Sequence, residues 1–304
     1  MLADDLARYA ELHHSLGFKF RVPHTLLRSY VAFARKHGDD FVRADRAVAW
    51  AIEAASAPQR RNRLLTVRRF ALAMQAEDPR HEAPAADALG RARFERSPPF
   101  IYTPVQIAKL LSAAADLGPP GAIRPLMYVT LFGLLAATGL RVSEALALRR
   151  IDLTADGLVV RQTKFRKSRL VPLHDTTRRA LDAYLLTSAR LVGAEEAVFI
   201  SSTGKPPAYT TVIAVFLQIA RAIGLRSKPG QRGPRIHDLR HTFAVRSLEQ
   251  CRNDRTAVAR HIAGLSTYLG HAHVTDTYWY LQATPTLMAQ IAEAGETLHA
   301  GGAV

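Results

Sequence analysis

The chain has 304 residues, 48% of them hydrophobic, enough for two domains that each carry a core. Its 41 lysines and arginines outnumber 26 aspartates and glutamates by 15, and the pI is near 10.5, so the expected partner is a polyanion, either nucleic acid or an anionic membrane surface. The single Cys251 excludes an intrachain disulfide and a cysteine-based zinc cluster, and no apolar run approaches the ~20 residues that span a bilayer.

Asp4, Asp5 and Arg8 interrupt any signal-peptide pattern at the N-terminus, and a cytoplasmic protein is expected. Residues 1–80 read as a helical bundle. Leu2, Leu6, Tyr9 and Leu12 recur at helical spacing, as do Leu26, Leu27, Tyr30, Val31 and Phe33. A third helix is expected from Ala44 to Ala55 and a fourth from Pro58 to Met74. Arg60, Arg61, Arg63, Arg68 and Arg69 lie on the fourth without an intervening acid, either as a solvated basic face or as a face laid along nucleic-acid phosphates.

Prolines 79, 84, 98 and 99 and Gly90 mark a linker over 81–99, with a short helix at 85–95, and a second domain is expected over 100–304. Thr103-Pro-Val-Gln106 has the residues of a capping box with proline at the first helical position. Ile123 to Thr138 is apolar on nearly every face and predicts a central buried helix ended by Gly139. Arg141 follows that turn, and Ser143 to Leu148 begins another helix. Glu144 is either a surface acid or a carboxylate that orients Arg141 or a nearby histidine. After the Asp156-Gly157 turn, Leu158–Thr163 and Arg169–Leu173 form a β-hairpin whose connection holds the cations Lys164, Arg166 and Lys167. Helices at 175–192 and 209–224, separated by a strand-like Val198-Phe-Ile200, read as scaffold. Residues 226–235, with Lys228, Arg232 and Arg235 and two glycines, read as a flexible basic segment suited to a nucleic-acid backbone.

The last stretch carries the chemistry. In His-Asp-Leu-Arg-His-Thr-Phe-Ala (237–244), a helix starting near His237 places Arg240 on the same face, so that an imidazole and a guanidinium point into one site. That pair suits a phosphate: the arginine fork reaches two oxygens, and the histidine donates or accepts a proton near neutral pH. Leu-Gly-His (269–271) and Tyr-Trp-Tyr-Leu (278–281) follow, and the pattern has no resemblance to a metal cage.

Arg141, Lys164, His237, Arg240, His271 and Tyr280 stand in the order, and at about the spacings, of the tyrosine recombinase (phage integrase) family, which the chain resembles over residues 98–283. The resemblance implies a mainly α fold with a small β-hairpin or sheet, in which an N-terminal helical domain clamps double-stranded DNA and a mostly helical catalytic domain cuts it. It also implies that Glu144 orients the site, that Lys164 protonates the leaving oxygen, with Lys167 as runner-up, and that Tyr280 rather than Tyr278 is the nucleophile. Arg252-Asn-Asp-Arg255 departs from the family's shorter glycine-containing turn. Beyond Tyr280, the amphipathic Thr286–Ala292 segment is expected to dock either on its own domain or on a neighbour in a homotetramer or a hetero-oligomer of related recombinases.

Two arginines would stabilise charge on the non-bridging oxygens of a phosphodiester. A tyrosine would attack phosphorus with His237 accepting its proton, and His271 would donate to a phosphate oxygen. The ester formed keeps the energy of the broken bond, so no cofactor, metal or ATP is expected. The reading is a site-specific DNA recombinase of a mobile element, associated with the nucleoid. The alternatives are a nicking and resealing type IB topoisomerase and a non-catalytic DNA-binding protein derived from a recombinase.

Overall fold

The computed structural model describes residues 1–90, 98–119, 121–161, 168–192, 196–231, 233–250, 255–271, 273–278 and 280. The chain divides into two compact units, Met1–Arg96 and Ser97–Val304. It is mostly helical with one small sheet, and no helix among the described residues is long and apolar enough to cross a membrane.

The first unit packs α1 (Leu2–Ser15), α2 (Arg21–Lys36), α3 (Ala44–Ile52) and α4 (Ala57–Gln75) around one core. The apolar positions read from the sequence supply it: Leu2, Leu6 and Tyr9 from α1, Leu27, Tyr30 and Val31 from α2, Trp50 from α3, and Leu64, Val67 and Phe70 from α4. Ser56 caps α4 by accepting from the Gln59 amide. The arginines of α4 differ from a free basic face. Arg60 donates to Ala54 O (2.7 Å), Arg61 to Gly90 O (3.4 Å), Arg63 to Trp50 O (3.1 Å) and Arg68 to Pro84 O (2.5 Å), while Arg63 also lies 4.8 Å from the centre of the Trp50 ring. These four cations hold neighbouring segments onto α4, and Arg69 is exposed.

Residues 81–90, expected as linker, belong to this unit. His81 is buried and its Nδ1 accepts from the Val42 amide, the Glu82 carboxylate accepts from the Ala44 amide, and Ala83 and Leu89 pack on the core. Residues 86–89 form a turn in place of the expected short helix, and 91–97 lie outside the described residues.

In the second unit Thr103 and Gln106 form the expected capping box at the start of α5 (Pro104–Ala115). The central helix α6 (Ile123–Thr138) packs against α5, α8 (Asp175–Val192) and α10 (Asp238–Glu249), which accounts for apolar residues around its whole circumference. α7 (Val142–Leu146) is a short helix following it. The hairpin is the larger part of an antiparallel sheet in the order β1 (Leu153–Thr154), β2 (Gly157–Val160), β3 (Arg169–Val171), with Leu158 opposite Val171 and Val160 opposite Arg169. Val198-Phe-Ile200 is not a strand. It is fully buried, and its amides bond to Leu148 O and the Tyr184 hydroxyl; pairing is limited to an isolated antiparallel bridge between Arg149 and Ala197, so the apolar run reflects core burial and not an extended strand. α9 (Tyr209–Ala222) completes the main core, and α11 (Arg255–Leu269) and α12 (Thr275–Tyr278) lead to Tyr280.

Candidate active site

The site grows from the turn after α6. Gly139 closes that helix at φ 62°, and a Cβ there would lie 2.6 Å from Cδ1 of Phe243, so both backbone conformation and space demand glycine. Arg141 caps α7. Its amide donates to Glu144 Oε2 (3.0 Å) and its Nη1 to Glu144 Oε1 (2.7 Å), while Nη2 reaches Gly270 O (3.4 Å). Burial alone would raise the Glu144 carboxyl. Arg169 and Arg141 overcome that and hold it at about 2, so the group is a carboxylate at neutral pH. Glu144 is therefore the carboxylate that orients Arg141, not a surface acid.

Helix α10 supplies the next groups. Asp238, only 2% exposed, accepts from the amide (2.7 Å) and Nη2 (3.0 Å) of Arg235, which fixes the start of the helix. Thr242, one turn on, accepts from the Tyr102 amide and ties α10 to the beginning of the domain. Arg240 is 2% exposed and donates to Gly139 O (2.8 Å) and Leu269 O (2.7 Å). Both partners are neutral carbonyls. Burial first, and Arg141 second, lower its pKa to about 10. A cation held this way has electrostatic capacity to spare for an anion. His237, at the helix start, has its pKa lowered by the protein packed around it and by Arg240. Its ring meets His241 edge-on at 4.8 Å.

Helix α11 ends in the Leu269-Gly270 turn, with Gly270 at φ 68°, and delivers His271. His271 Nδ1 lies 2.8 Å from Oγ1 of the fully buried Thr277. When the hydroxyl donates, Nε2 carries the ring proton and is available to an acceptor. Tyr280 sits in a satellite core with Val245 and Leu248 of α10 and Ile262, Leu265 and Leu269 of α11. Its ring stacks on His271 at 5.9 Å and lies 5.4 Å from His241. Burial raises the phenol pKa, while the nearby Arg240 and Arg141 draw it down. Burial, then neighbouring cations, lower His271 to about 4; burial and His237 do the same for His241, so both rings are neutral at pH 7.

Arg141, Glu144, His237, Arg240, His271 and Tyr280 are thus gathered within one cluster of α7, α10 and the α11–α12 region. Lys164, Arg166, Lys167 and Arg232 lie outside the described residues, as does Trp279. Lys228 is exposed, and Arg235 pairs with Asp238. Within the segment that follows α9, Arg226 donates to Gly233 O, Pro234 O and Gln231 O. Among the described residues no group of three or more histidines, cysteines or acids is placed to hold a metal.

Two members of the site are not legible as such in the sequence. Arg169 reads there only as a strand residue, yet it donates to both Glu144 oxygens. Its signal is parity, since it shares a face with the buried Val171. His241 stands between His237 and Tyr280, with Nδ1 buried and lacking a hydrogen-bond partner among the described residues. Its place one helical turn after His237 is the available clue.

Residues 102–286 match the phage integrase family. The chain is 37% identical to the candidate integrase/recombinase y4rB of Sinorhizobium fredii, over 93% of each chain. It is 31% identical to the tyrosine recombinase XerD of Xanthomonas campestris pv. campestris, over 83% of this chain and 74% of that one. Among solved structures, the Tn1549 transposon integrase in complex with transposon right-end DNA aligns over 96% of this chain and 98% of that one at TM-score 0.65 and 18% identity. A lambda integrase dimer bound to a COC′ core site aligns over 93% and 96% at TM-score 0.64 and 20% identity, so these structures share the fold.

Proposed function

Because the chain belongs to the phage integrase family and is a tyrosine recombinase, we propose that it cuts and rejoins DNA at specific sites through a covalent 3′-phosphotyrosine intermediate formed by Tyr280. The observation that carries the reading is the packing of the Tyr280 ring on His271 beside Arg240, a buried guanidinium that donates to the carbonyls of Gly139 and Leu269.

Arg141 and Arg240 bind the non-bridging oxygens of the scissile phosphate, where negative charge grows as the phosphorus becomes five-coordinate. The Tyr280 phenol oxygen attacks phosphorus, and its proton passes to a neutral imidazole, assigned to His237. His271, oriented by Thr277, donates from Nε2 to a non-bridging oxygen. The P–O5′ bond breaks, and the ammonium of Lys164 protonates the departing 5′ oxygen. One ester replaces another, so a 5′ hydroxyl from a second DNA reverses the sequence without a cofactor.

Each unit offers exposed cations to DNA phosphates, Arg69 on the N-terminal unit and Lys228 and Arg235 on the catalytic unit. Several copies act together on paired sites, as in the lambda integrase tetramer bound to a Holliday junction that shares this fold. The setting is the cytoplasm and the nucleoid, and the substrate is a mobile element, in keeping with the transposon integrase among the neighbours.

The test is to incubate the protein with two labelled duplexes that span the ends of the DNA segment carrying its gene, alongside a supercoiled plasmid. Exchange of label between duplexes supports recombination. Relaxation of the plasmid without exchange would make the protein a nicking and resealing enzyme, and binding without any covalent adduct would make it a DNA-binding protein only.

A further inference from the structure

Arg169 is the first residue of β3, yet its side chain is only 9% exposed and its donors are committed on two sides. Nε donates to Tyr268 O (2.7 Å) near the end of α11, while Nη1 and Nη2 donate to Oε1 (3.1 Å) and Oε2 (2.8 Å) of Glu144. Its guanidinium lies directly under the turn that carries His271, since a Cβ on Gly270 would come 2.7 Å from Nη1 and 3.0 Å from the central carbon. Glu144 in turn grips both the amide and the guanidinium of Arg141. Resting on the recombinase reading above, we propose that Arg169 is a positioning residue for strand cleavage: from β3 it locks the His271 turn and the Glu144–Arg141 pair into one frame.

Two features of the geometry support the assignment. A planar fork serves a carboxylate and a carbonyl at fixed angles, which the single nitrogen of lysine cannot do. The three segments joined are far apart in sequence, with 99 positions between Arg169 and Tyr268 and 25 between Arg169 and Glu144, so local structure cannot replace the bridge.

The experiment uses full-length protein carrying Arg169→Lys, Arg169→Gln, or Arg169→Gln together with Glu144→Gln. The probes are nicked duplexes spanning the two ends of the DNA segment that carries the gene, and the readouts are affinity by gel shift, rate of covalent adduct formation, and the pH profile of that rate. Each single variant should bind within about threefold of wild type yet form adduct about a hundredfold more slowly, the usual loss when a catalytic group is displaced by ~1 Å. The double variant should be little slower than Arg169→Gln, because the pair acts as one unit.

The profile separates positioning from general loosening. Glu144 faces Arg141 from its own helix, Arg169 from β3 and Arg240 from α10, and is held at about 2. Without Arg169 its pKa rises, so activity that needs the carboxylate is lost at higher pH as acidity increases. In Arg169→Gln the acid limb should therefore move up, with Arg169→Lys in between. Adduct formation by both single variants within about threefold of wild type, with an unmoved acid limb, would overturn the proposal. If Arg169→Gln does not fold, Arg169→Lys decides by the same criteria. Wild-type protein that forms no adduct would remove the recombinase reading and this inference together, whereas wild-type adducts with fully active Arg169 variants would remove this inference alone.

Discussion

Replacing Arg240 with methionine isolates what a buried cation contributes. A guanidinium that burial pulls down to about 10 is on the order of 3 kcal/mol less favourable as a cation than one in water. Methionine fills a similar length and removes that cost. It also leaves Gly139 O and Leu269 O without their donor, at ~1–3 kcal/mol each. The effects oppose one another, so the stability of the domain should change by less than about 3 kcal/mol, a melting shift under roughly 10 °C for a unit of this size. Cleavage should fall at least about a hundredfold, the cost of removing one donor to developing charge. Sulfate provides an assay that needs no DNA site. At ten times its Kd it should stabilise the wild type by about 1.4 kcal/mol and leave Arg240→Met unmoved. A variant that unfolds outright would make Arg240 a structural residue. One that still responds to sulfate and cleaves near the wild-type rate would remove it from the phosphate site.

Two further outcomes test the assignments that extend beyond this cluster. Lys164→Ala should be slow on normal DNA and recover most of its rate when the scissile 5′ oxygen is replaced by sulfur, which leaves without a proton, whereas Arg141→Ala should not recover; equal deficits on both substrates would transfer the acid role to Lys167. Changing Arg60, Arg61 and Arg63 together to glutamine should flatten the salt dependence of DNA binding by roughly 0.9 in log–log slope for each phosphate no longer neutralised, and an unchanged slope would leave these residues with their carbonyl partners alone.

What the sequence reveals here is largely local. The box at Thr103 and Gln106, the glycine at 139, the Arg141–Glu144 spacing and the His237–Arg240 turn are each written within a few residues, and the structure forms them at those positions. What escapes reading depends on partners distant in the chain. Arg169 looks like an exposed strand arginine until Tyr268 and Glu144 come to it. The arginines of α4 read as a free stripe, and only the approach of residues 50, 54, 84 and 90 turns them into fasteners. Residues 81–90 look like linker because Leu89 is the one large apolar side chain among alanines, a proline, a glycine and charges, yet the buried His81 ties the segment down. Val198–Ile200 shows the same limit from the other side, since an apolar run records burial and not the partner that buries it.

The most direct test of the account is the covalent bond itself. Wild-type protein, Tyr280→Phe and Tyr278→Phe are incubated with nicked duplexes from the ends of the DNA segment carrying the gene, and adducts are counted on denaturing gels. Tyr280 is buried against His241 and His271 beside Arg240, so Tyr280→Phe should bind DNA with wild-type affinity and form no adduct, while Tyr278→Phe keeps forming it. Adducts that persist in Tyr280→Phe and vanish in Tyr278→Phe would contradict the central claim.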